Sequence, residues 1–98
     1  MHILTVAYGH PTDPAAFDAH YEQTHRGLAA KMPGLRAFTA LKCASLDGTP
    51  APYYLMAQLT FDSEADLGAG LGSPEGQAAA ADVATFADGG AAMFVQHD

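Results

Sequence analysis

Along the chain the spacing of apolar positions changes repeatedly, and each change coincides with a cluster of turn residues. Residues 2–9, HILTVAYG, are β-branched and aromatic, and GHPTDP then breaks the run, which predicts a strand. Asp13 followed by Pro14 predicts a helix start: a carboxylate to cap free backbone N–H groups and a ring preset for the first turn. That helix extends to about Met32 and stops at Pro33-Gly34. LRAFTALKCAS (35–45) predicts a second strand, the linker LDGTPAP follows, and YYLMAQLTF (53–61) predicts a third. Ser63 to Asp66 has capping-box spacing ahead of a short helix weakened by its glycines. Ser73-Pro74-Glu75 opens another helix through the alanines to about Ala87, Asp88-Gly89-Gly90 ends it, and AAMFVQH (91–97) is the last strand. The order β-α-β-β-α-β predicts an α+β, ferredoxin-like arrangement: a four-stranded antiparallel sheet with helices on one face.

The strands are apolar on both sides. In the third, Tyr53, Leu55, Ala57, Leu59 and Phe61 point one way, Tyr54 and Met56 the other; in the fourth, Met93 and Val95 oppose Phe94. A sheet with one wet face alternates more cleanly. An identical sheet from a second subunit is the economical cover, so a homodimer is expected.

Composition narrows the partners. With 98 residues, one domain spanning 1–98 is expected, and such a chain buries only about 60–65% of its unfolded surface. The net charge is −7, and the four cations, Arg26, Lys31, Arg36 and Lys42, fall in one short span. That is too few to displace counterions from nucleic acid, and an anionic membrane would repel the rest. A small apolar ligand and a second copy of the chain remain as expected partners. The lone Cys43 gives no disulfide and no thiolate zinc cluster. MHILTVAYGH lacks the basic start and long apolar run of a signal peptide, which makes a cytoplasmic location the expectation. No nucleotide-binding glycine loop is present, so no cofactor is expected.

Candidate chemistry concentrates in the first helix. At 100° per residue, Phe17, Tyr21, Thr24, Leu28 and Met32 share one stripe, with His25 at one margin and His20 at the other. Diverging imidazoles with no carboxylate at a matching helical position do not make a metal pair, so no metal is expected. Tyr21 and His25 read either as edge-of-core residues with hydrated tips or as a proton-transfer pair, imidazole having a pKa near neutrality.

YGHPTDPAAFDAHYEQTHRGLAAKMPGL (8–35), with its D-P-x-x-F start, H-Y-x-x-x-H centre and M-P-G-L exit, resembles the opening of the EthD family. LGSPEGQAAAADVATFADGG (71–90) resembles the same family's second half. The resemblance spans almost the whole chain. It implies a dimeric α+β barrel of two ferredoxin-like units, and a pocket between sheet and helices holding an apolar ring system beside a His and a Tyr. The family takes its name from a small protein that accompanies bacterial degradation of an ether fuel additive. Its members are often catalogued as reductases without a demonstrated cofactor; relatives of the barrel include cyclases, decarboxylases, isomerases and cofactor-free monooxygenases. By that resemblance Tyr21 and His25 are the catalytic candidates, and Phe17, Leu28, Tyr54 and Phe94 are expected to contact the ligand. Gly27, where many relatives carry a bulkier residue, is expected to loosen the helix. Two functions stand open: a reductase-type or proton-transfer enzyme on a small aromatic or cyclic molecule in degradation or secondary metabolism, or a non-catalytic binding protein working beside an oxygenase.

Overall fold

A computed structural model describes residues 1–98. Strands β1 (His2–Tyr8), β2 (Ala37–Lys42), β3 (Leu55–Phe61) and β4 (Ala91–His97) form one antiparallel sheet in the order β2-β3-β1-β4. The connections are α1 (Pro14–His20), a π turn (Tyr21–His25) and α2 (Arg26–Ala30) after β1, and α3 (Glu64–Gly72) and α4 (Pro74–Phe86) after β3. This is the expected ferredoxin-like order. β1 lies centrally, paired with β3 and β4, and is the most continuously buried strand.

The helix starts are capped as their residues suggest. Asp13 Oδ1 accepts from Ala16 N at 3.1 Å, Ser63 Oγ from Asp66 N at 3.1 Å, and Ser73 Oγ from Gly76 N at 3.0 Å. Leu4, Val6 and Tyr8 of β1 and Leu55, Ala57, Leu59 and Phe61 of β3 meet the helices in one buried core with Phe17, Tyr21, Ala29, Met32, Leu67 and Ala79. The opposite sheet face carries Ile3, Thr5, Ala7, Thr39, Leu41, Met56, Gln58, Phe94 and Gln96, with no charged side chain among them.

The first helix departs from expectation. Arg26 N donates to the Tyr21 carbonyl five residues back, so one turn holds an extra residue. The inward stripe is accordingly Phe17, Tyr21, His25, Ala29 and Met32, all buried. Thr24 is exposed, and Leu28 packs only partly against the core. Gly27 does not loosen the helix: α2 runs through it, and the irregularity lies in the preceding turn.

Candidate functional site

The wider turn carries His25 from the margin of the stripe to its centre, 5% exposed between α4 and the end of β1. His20 and His25, expected to diverge, instead converge on Asp82 of α4. His20 Nε2 lies 2.9 Å from both Asp82 oxygens and His25 Nδ1 3.0 Å from Oδ2. Thr85 Oγ1 donates to the same carboxylate at 3.1 Å. A carboxylate facing Nδ1 fixes the proton there and leaves Nε2 as the acceptor when the ring is neutral. Tyr8 Oη stands 3.4 Å from that Nε2.

Aromatic rings enclose this polar line. Phe86 packs on both imidazoles, with centroids at 5.0 Å from His20 and 4.9 Å from His25. Tyr8 meets Phe17, Tyr21 and His25 edge-on. Tyr21 Oη is buried with no hydrogen-bond partner, a state that costs about 1–3 kcal/mol unless something satisfies it. Arg26 lies over the Tyr21 ring at 5.7 Å.

Burial sets the ionisation of these groups. Desolvation lowers the His25 pKa below its ordinary 6.5, against the opposing pull of Asp82. Burial also pushes Tyr8 up, helped by the nearby Tyr21 and Asp82, and pushes Tyr21 up to about 12. Partial burial works against ionisation of Asp82, but hydrogen bonds from His20, His25 and Thr85 outweigh it and hold the carboxyl below its usual range. At neutral pH the site is therefore a neutral imidazole backed by a carboxylate, beside two protonated phenols.

His25, Tyr8 and Tyr21 line a cavity of about 50 Å³ between sheet and helices, otherwise walled by apolar groups such as Phe38, Leu71 and Val83. Met93, about half exposed, lies at its rim. No group of three His, Cys, Asp or Glu side chains converges in a ligand geometry; Asp82 serves the imidazoles as a hydrogen-bond acceptor.

Of the sequence candidates, His25 and Tyr21 reach the cavity together. Phe17 sits behind Tyr21, their rings stacked at 5.9 Å, and contributes packing and not lining. Leu28 is displaced from the inward position by Ala29 because of the π turn. Tyr54 precedes β3, where alternation fails: it turns to the helix side, edge-on to Phe17, and donates to Asp18 at 2.7 Å. Phe94, paired in register with Thr5, lies on the opposite sheet face, away from the cavity. Asp82 and Tyr8 escaped the sequence reading although each left a signal. Asp82 shares the inward spacing of Ala79, Val83 and Phe86, and Tyr8 shares the parity of Leu4 and Val6.

A ferredoxin-like sheet with a titratable aromatic cavity under its helices defines the class, and sequence comparison defines the family. The EthD domain model matches residues 9–90, and the chain belongs to the EthD family. It is 53% identical over 94 residues to an uncharacterized 11.0 kDa protein of the thcB-thcC intergenic region of Rhodococcus erythropolis, covering 96% of this chain and 91% of that one. An ethyl tert-butyl ether D (EthD) family protein of Bacillus halodurans C-125 superposes with TM-score 0.94 at 30% identity, over 100% of this chain and 98% of the other. SnoaB of Streptomyces nogalater, a cofactor-independent oxygenase, shares the fold with TM-score 0.68 at 14% identity, over 99% and 90% of the two chains. Other solved structures sharing the fold are described as dimeric ferredoxin-like proteins.

Proposed function

We propose that this EthD protein transfers a proton on a small, uncharged, largely apolar molecule bearing a carbonyl or hydroxyl oxygen, held in the cavity between sheet and helices. The observation that carries the reading is the buried His25, whose Nδ1 faces Asp82 and whose Nε2 lies beside Tyr8, the ring lining one cavity with Tyr8 and with Tyr21, whose hydroxyl has no partner. On a cyclic ketone, His25 Nε2 takes the proton from the carbon beside the carbonyl, and Tyr21 donates to the oxygen that gains charge. The proton then returns to carbon or oxygen, so no electron leaves the substrate. Asp82 orients the ring and offsets the imidazolium charge. The Bacillus relative supports the fold of the site, and the cofactor-independent oxygenase SnoaB supports the idea that this fold can act on a substrate without a cofactor.

A cavity of about 50 Å³ is smaller than the ~150 Å³ apolar void that admits benzene. In this proposal the unbranched Met93 swings outward on binding. A second copy covers the uncharged sheet face, where Leu41 and Phe94 are among the most exposed apolar groups.

Deuterium wash-in at the α-carbons of 2-indanone, 2-tetralone and cyclohexanone in D₂O tests the activity by NMR. Wild-type protein should accelerate exchange of at least one, and His25→Gln should abolish the acceleration. No acceleration of any of the three would count against the reading.

A further inference from the structure

We propose that His20 is a positioning residue for His25 that works through their shared carboxylate: as pH falls, a proton on His20 claims Asp82 and keeps the buried imidazole in its base form. One carboxylate faces two imidazoles, and a single negative charge cannot fully offset two cations. The side chains grade from 31% exposed at His20 through 11% at Asp82 to 6% at His25. The more solvated ring accepts a proton at lower desolvation cost. His20 also opens on a surface cleft of about 310 Å³, which it shares with Asp13, Thr85 and Asp88, so solvent reaches it without passing the cavity.

The surroundings leave Asp82 as the decisive charge. Facing His25 are Asp82 from α4, Tyr8 from β1, and Tyr21 with the overlying Arg26 from its own helix. Facing the His20 cleft are Asp13, which caps α1, and Asp88, which accepts from Thr12. Phe86 packs against both imidazoles and holds their spacing. A charge on His20 disfavours a second proton on His25, in the same direction as burial. In this proposal each ring feels a charge on the other through the carboxylate they share. The consequence for turnover rests on His25 being the base; the coupling itself does not.

Ring NMR titrations of the full chain test the proposal without any ligand. In His20→Gln, which retains a donor but no charge, the His25 midpoint should rise by up to about one pH unit. In Asp82→Asn it should fall. A folded His20→Gln protein with an unmoved His25 midpoint overturns the proposal. Should that variant fail to fold, a wild-type His25 titration with no inflection at the His20 midpoint overturns it equally. In the ketone exchange assay, the acid limb of the pH profile should lie at higher pH in His20→Gln than in wild type. Coupling by NMR without exchange activity would support the shared carboxylate while removing the base assignment.

Discussion

The two faces of the sheet are built from the same strands and differ in kind. On the helix side, Leu4, Val6 and Tyr8 lead into stacked aromatics that hold one line of titratable groups, Tyr8, His25, Asp82 and His20. On the other side Thr5 donates to Gln96, Gln58 donates to Thr5, and Leu41 and Phe94 stand exposed, with no titratable group at all. The difference teaches where chemistry and where association belong. Buried charge must be paired to persist, so it collects where helices can supply partners. A neutral face with scattered hydrogen-bonding groups suits a second sheet, because nothing on it must be desolvated as an ion.

That division can be broken from either side. The largest effect is expected on the helix face: His25→Gln should lower ketone exchange by on the order of 10²–10⁴, measured at equal folded concentration. Next is the opposite face, where Phe94→Asp together with Leu41→Asp should shift the protein toward monomer in sedimentation equilibrium while leaving the circular dichroism unchanged. A double variant as dimeric as wild type would move the interface elsewhere.

Asp82→Asn should then cost about 1–3 kcal/mol in denaturant unfolding, since two imidazole donors lose their charged acceptor. The pH dependence follows the same group of residues. His25 has a folded pKa below its ordinary 6.5, so the unfolded chain binds that proton more readily, and stability should fall as pH drops from about 6.5 toward the folded value. Asp82, also depressed, adds a further loss in the acid range, and His25→Gln should flatten only the upper part of the curve. The smallest expected effect is that of Tyr21→Phe. Removing a hydroxyl that is buried without a partner should leave the protein no less stable, yet weaken binding of 2-tetralone by isothermal calorimetry. Unaltered binding would leave that hydroxyl without a role in the cavity.

The element order was legible because caps and turn residues agree with local spacing: Asp13-Pro14, Ser63 and Ser73-Pro74 each start the helix they announce. Tyr21 and His25 were legible as a pair. What escaped was phase and parity. A fixed 100° step places Thr24 and Leu28 inward, and only the tertiary packing that opens the turn substitutes His25 and Ala29. Asp82 was hidden because a carboxylate in an alanine helix reads as solvated until its long-range partners, 57 and 62 residues away, are known. Tyr54 was misplaced by alternation because the strand rule fails one residue before β3 begins.

The π turn also makes the site a matter of length as well as composition. The inward residues Phe17, Tyr21, His25 and Ala29 advance in steps of four, a slower count than a regular helix tolerates, and the surplus residue is held in one turn whose outer side includes exposed Gln23. Deleting Gln23 would alter neither charge nor hydrophobicity, and an ordinary helix of the shorter chain would still turn the same side chains inward. The imidazole would nonetheless meet Asp82 and Tyr8 at a different height. Chains identical in every inward-facing residue could thus differ in whether the base reaches its partners, and a single insertion or deletion between Tyr21 and His25 is the place where that difference would arise.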